Sequence, residues 1–183
     1  ADAQVLVSIM AGLSTSRIAS AAGRDVAVVR VMPNTPLLAG AGMAGVAPGK
    51  FATPEQAEQV KALFSSAGEA VVIEESQMDA LTSVSGSGPA YLFYLAEAME
   101  QAATEQGLGE HARLLVSQTL FGAAKLLKES GDVSGGPGEL RRRVTSKGGT
   151  TLAATTHMDQ NKMNQIVINA VKAAAKRSAE LGG

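Results

Sequence analysis

Cysteine is absent from the 183 residues, which excludes disulfides, thiolate metal sites and a cysteine nucleophile. Aromatic residues make up only 3%, too few for an aromatic-cored β-sandwich or for the base-stacking platforms of single-strand nucleic-acid binders. Neither sign of charge dominates, with 16 basic and 17 acidic residues, so no broad field favours nucleic acid or an anionic membrane. No apolar run reaches the ~18 residues of a spanning helix, and no basic-then-apolar leader precedes the first element. The expectation is a soluble, cytoplasmic protein with no nucleic-acid or membrane partner. What is present is 45% hydrophobic content rich in alanine and glycine, enough for closely packed helices in one large domain or a small domain joined to part of another.

Val5 to Met10 is a short apolar run ended by Ala11-Gly12 and reads as a buried parallel strand. Ser14 can cap a helix over Thr15 to Ala22, Gly23 can end it, and Val26 to Met32 reads as a second strand. Prolines at 33 and 36 then hold the chain extended or turned, with a further strand expected around Met43 to Ala47. Thr53-Pro54-Glu55-Gln56 combines an N-cap threonine, proline at the first helical position and glutamine three residues after the cap. Its helix should run to about Ser66, before a strand at Ala70 to Ile73.

From Met78 strand signals disappear, and helices are expected over about 89–106, 110–129 and 160–180, with Gly131 to Gly138 as a flexible loop. The fold class is therefore α/β plus all-α. Residues 1–75 read as the C-terminal part of a Rossmann-type domain, and 76–183 as a helical domain. The sequence opens inside a sheet, with no Gly-x-Gly-x-x-Gly after its first strand, so the front half of that dinucleotide fold is expected to be missing.

The most informative segment is Arg143-Val144-Thr145-Ser146-Lys147-Gly148-Gly149-Thr150-Thr151-Leu152, hydroxyls and two glycines just before an apolar helical start. Glycines permit close approach of a ligand, and unpaired amides at a helix N-terminus favour a small anion such as a carboxylate. The same residues also suit a plain turn with Thr150 as N-cap. Ser85-Gly86-Ser87-Gly88-Pro89 reads as a helix start, with Ser87 or Gly88 before a first-turn proline. Arg141 and Arg142 read as a solvated helix face, and His111 and His157 lack ligand-like spacing, so no metal is expected.

Val144 through Asp159 resembles the signature of the pyrroline-5-carboxylate reductase family. Val31-Met32-Pro33-Asn34-Thr35-Pro36 and Ser83-Val84-Ser85-Gly86-Ser87-Gly88-Pro89-Ala90-Tyr91 are similar to two other family segments, in the same order. The resemblance implies a reductase with an N-terminal dinucleotide domain and a helical domain that interlocks with a partner in a homodimer, with dimers often gathered into rings. It implies hydride transfer from NADPH or NADH to the ring C=N of pyrroline carboxylate, giving proline.

On that resemblance the substrate carboxylate falls to backbone amides around Gly148, Gly149 and Thr150, helped by Ser146, and Thr151 stands beside the ring nitrogen as the catalytic hydroxyl. Glu75 matches a position near the substrate, where a carboxylate could meet a cationic nitrogen; a solvated acid is the plainer alternative. Ile9, Met10 and Ala11 border the nicotinamide. Asn34 either contacts the carboxamide or structures its turn, and Arg143 matches a position bordering the cofactor. Two other readings stay open: a related Rossmann-type β-hydroxyacid dehydrogenase, and a non-catalytic dimerisation fragment, since no phosphate-binding glycine loop is present.

Overall fold

The computed structural model describes residues 4–131 and 134–182. They form two compact units. The first takes in the chain up to Tyr91 together with the stretch from Asn169, and the second runs from Leu92 to Ile168.

The first unit is built on a four-stranded sheet in the order β1 (Val5–Ser8), β2 (Ala27–Pro33), β3 (Gly42–Pro48), β4 (Gly68–Val72). β1 and β2 are parallel and joined by helix α1 (Thr15–Ala21), as the strand-helix-strand pattern predicts. β3 and β4 are also parallel, joined by α2 (Pro54–Ser65), but β3 runs antiparallel to β2. The reversal follows from the chain between them. Pro36 sits in the first turn of a short 3-10 helix (Thr35–Ala39), which ends on Gly40 at φ +69° and leaves no room for a crossover.

Local signals set the helix ends. Ser14 accepts a hydrogen bond from the Arg17 amide, and Thr53 with Gln56 forms the reciprocal capping box that its sequence spells. Along β2, Val29 and Val31 join Ala44, Val46 and Val60 in a closed core, against which Phe64 and Val72 pack. The alternate residues Val28 and Arg30 are buried as well, so both faces of β2 are covered.

After β4 come a 3-10 turn (Glu75–Gln77), the short helix α3 (Met78–Leu81) and a π-helical turn (Thr82–Gly86). They belong to the first unit: Met78 is fully buried and Ser83 nearly so. The C-terminal stretch of α8 (Met163–Gly182) belongs there too, through a hydrogen bond from the Ser178 hydroxyl to Asp79 at 2.7 Å. By packing, the compact units divide at Tyr91, while the composition shift near residue 75 marks the place where strands give way to helices inside the first unit.

The second unit contains most of α4 (Gly88–Glu105), α5 (Ala112–Glu129), α6 (Gly136–Arg143) and α7 (Thr150–Gln160). The expected loop from Gly131 to Gly138 is shorter than its glycines suggest, with Asp132 and Val133 outside the described residues. α6 already begins at Gly136 because Pro137 occupies the first turn, where a missing amide hydrogen is harmless. Among the described residues, no helix is long and apolar enough to cross a membrane.

Candidate functional site

The informative segment lies in the second unit. Thr145 ends α6 by donating its hydroxyl to the Arg141 carbonyl at 2.7 Å. The chain then turns through Gly148 at φ +73°, a conformation that favours glycine, and α7 starts at Thr150 with Gly149 as its N-cap. A side chain on Gly149 would collide with the Ser146 hydroxyl, so the second glycine keeps Ser146 folded over the helix start.

The turn redistributes the expected amides. The Gly149 N–H donates to the Ser146 carbonyl at 3.1 Å and is not available to a ligand, whereas Thr150 and Thr151 occupy the first two helical positions, whose amides have no intrahelical acceptor. The first helical bond is made by the Ala153 amide, to the Gly149 carbonyl at 3.2 Å. Among the described residues the hydroxyls of Ser146, Thr150 and Thr151 have no protein hydrogen-bond partner. Two outward amides, three hydroxyls and a helix N-terminus make a surface suited to a small carboxylate.

Arg143, at the end of α6, is not free. Glu139 accepts from the Arg142 guanidinium at 2.7 and 2.8 Å and from Arg143 Nε at 2.9 Å. The hydrogen bonds from Arg142, then those from Arg143, hold the Glu139 carboxyl down at about 2. Arg143 therefore enters any cofactor contact already paired with an acid.

The remaining candidates lie in the first unit. Ile9, Met10 and Ala11 follow β1 and are exposed, Ile9 at 61% and Met10 at 51%. They stand at the carboxyl end of a parallel strand, where open α/β sheets bind ligands. Asn34 is occupied on both sides. Its Nδ2 donates to the Ser85 carbonyl at 3.0 Å and its Oδ1 accepts from the Met43 amide at 2.9 Å, tying the π-helical turn to the start of β3. Of its two expected roles, the structural one accounts for both of its polar groups. Tyr91 supports the same turn by donating its hydroxyl to the Ser83 carbonyl at 2.9 Å.

Glu75 has protein partners where a substrate contact was expected. Its two oxygens accept from the Thr15 amide at 2.7 Å and the Thr15 hydroxyl at 2.6 Å, and Arg30 Nη1 lies 3.7 Å away. Neither Thr15 nor Arg30 is among the site residues that the sequence suggests. Arg30 carried a signal, since a lone cation within Val28-Val29-Arg30-Val31 must find an acid if the strand is buried.

The fold defines a class: the C-terminal part of a Rossmann-type unit followed by a helical unit. A family model described as "Pyrroline-5-carboxylate reductase dimerisation" matches residues 75–181. The chain is 41% identical over 183 residues to a pyrroline-5-carboxylate reductase of Synechocystis, covering 100% of this chain and 67% of that protein. It is 42% identical over 179 residues to one from Corynebacterium melassecola, covering 97% of this chain and 65% of the relative.

Among solved structures, the pyrroline-5-carboxylate reductase of Coxiella burnetii superposes with a TM-score of 0.90 at 33% identity, covering 98% of this chain and 66% of that one. The Plasmodium falciparum pyrroline carboxylate reductase, solved with NADP bound, gives 0.88 at 31% identity, covering 98% and 72%. The chain belongs to the pyrroline-5-carboxylate reductase family. It spans about two thirds of the length of the curated relatives it matches.

Proposed function

We propose that this chain carries the substrate-holding part of an NAD(P)H-dependent reductase that converts pyrroline-5-carboxylate to proline. The observation that carries the reading is the start of α7, where the Gly148 turn, the Thr150 and Thr151 amides and the hydroxyls of Ser146, Thr150 and Thr151 gather without protein acceptors. A ring carboxylate accepts from the two amides and from Ser146. Thr151, in the first turn of α7, donates its hydroxyl to the ring nitrogen, which gains one proton as the C=N carbon gains the hydride. An unperturbed threonine is a weak acid, so its part is to orient the imine and pass on a proton delivered through ordered water.

The cofactor fits in part. When bound, a reduced nicotinamide supplies the hydride, and the exposed apolar edge of Ile9 and Met10 with Ala11 suits one face of a flat ring. Arg143, already paired with Glu139, is a separate candidate for contact with the cofactor. The Gly-x-Gly-x-x-Gly spacing of Gly40-Ala41-Gly42-Met43-Ala44-Gly45 leads into strand β3 and not into a helix, so it offers no helix N-terminus to a pyrophosphate, and Ile9, Met10 and Ala11 provide for the nicotinamide end alone.

The exposed helical faces and the dimerisation family model support assembly with further copies of the chain. A homodimer is the proposed unit, and a ring of dimers its larger form. The setting is the cytoplasm, with no membrane or nucleic acid engaged.

The test is steady-state reduction of pyrroline-5-carboxylate by NADPH and NADH with the full-length protein and its Thr151→Ala variant. Wild type should give proline at the expense of either nicotinamide. Loss of one oriented hydrogen bond to the reacting nitrogen should lower kcat by about 10²-fold. Wild-type kinetics in the variant would remove Thr151 from the mechanism, and absence of imine reduction by the wild-type protein would sink the reading.

A further inference from the structure

We infer that Glu75 is a positioning residue for the loop that carries Ile9, Met10 and Ala11, acting through Thr15 and Arg30 and not by touching substrate. The inference rests on the reading of that loop as the nicotinamide edge.

The loop between β1 and α1 is fastened at three points, all within the first unit. At its start, the Ser8 hydroxyl accepts from the Met10 amide at 3.3 Å. At its tip, Gly12 takes φ +75°, and a Cβ there would lie 2.8 Å from the Leu181 carbonyl oxygen of α8. Only glycine lets the loop sit so close to that helix end. At its far end stands Thr15, only 4% exposed, whose amide and hydroxyl both go to Glu75. Between the fastenings Ile9 and Met10 project outward, so their placement depends on them.

The third fastening is the one made over distance. Glu75 lies 60 residues beyond Thr15, in the turn that follows β4, and so joins two connections far apart in sequence. Arg30 explains why the partner must be an acid. It lies in the middle of β2, opposite Ser8 on β1 and Ala47 on β3, and is 7% exposed. A cation there is stable only beside an opposite charge, and Glu75 provides it at 3.7 Å. The Glu75 carboxylate is thus fixed from one side by a buried guanidinium and holds the loop end from the other. Both Glu75 oxygens already accept from Thr15, so a ligand there would compete with the loop for the same carboxylate.

The test uses the full-length protein with Glu75→Gln, which keeps size but removes the charge and one acceptor oxygen. Thr15→Val is the milder companion, removing one of the two bonds and leaving the ion pair. Amide hydrogen exchange over residues 9–17, NADPH titration by fluorescence and the two Michaelis constants are measured together.

Glu75→Gln should speed exchange across the loop and raise the dissociation constant and KM for NADPH by about tenfold, with KM for pyrroline-5-carboxylate within about twofold of wild type. Thr15→Val should shift the same quantities in the same direction by less, and it decides the matter if the glutamine variant does not fold. A rise in substrate KM with unchanged cofactor affinity would overturn the inference, as would unchanged exchange in the loop. A wild-type protein inactive on the imine would defeat the proposed function alone, because exchange and cofactor titration would still judge the role of Glu75.

Discussion

The two units bury their side chains very differently. In the first, Val29, Val46 and Met78 are fully shielded and Val28 and Val31 nearly so, within a single chain. In the second, α4, α6 and α7 have no buried residue, and α5 buries only Ala112 and Val116. Phe93, Tyr94, Leu114 and Phe121 are all more than 60% exposed there, at 62%, 77%, 68% and 63%. Contiguous exposed apolar faces of this kind mark surfaces that other protein covers. A sheet with helices on it closes its own core, whereas these helices present stripes that a single copy leaves open.

The difference can be attacked from either side. Met78→Ala removes a fully buried side chain beside the sheet and should destabilise the first unit by about 2–5 kcal/mol in urea unfolding, even in a monomeric protein. A change under about 1 kcal/mol would mean that the first unit also relies on a partner for its core. Phe121→Asp alters an exposed side chain on α5 and should hardly change the unfolding of a lone copy. It should weaken self-association by roughly 30-fold, near 2 kcal/mol, read by light scattering across a dilution series. An unchanged dimer would place the interface elsewhere on the helical unit.

Much of the succession of strands and helices is legible in the sequence alone. The caps at Ser14 and Thr53, the alternation of strand and helix up to β4 and the helical run after Met78 depend on neighbours within a few residues, and the structure keeps them. The start of α7 was legible for the same reason, since Gly148 and Gly149 announce a turn wherever they occur.

What was hidden depends on residues far apart in sequence. The antiparallel pairing of β3, the return of α8 to the first unit through Ser178 and Asp79, and the reach of Glu75 to Thr15 all span distances no local pattern encodes. Asn34 shows the limit most clearly. Its turn was visible, but not its bond to Ser85, 51 residues away. The Gly149 amide is a smaller instance, because the choice between a ligand and the Ser146 carbonyl is settled by the turn's own geometry.

In the proposed function the start of α7 holds the carboxylate of the substrate. Amide hydrogen exchange of the full-length protein with and without saturating proline tests it directly. Exchange at Thr150 and Thr151 should slow by at least about tenfold, while the amides of β2 stay unchanged. Unaltered exchange across residues 146–151 in protein that demonstrably binds proline would contradict the claim and move the carboxylate site to another part of the chain.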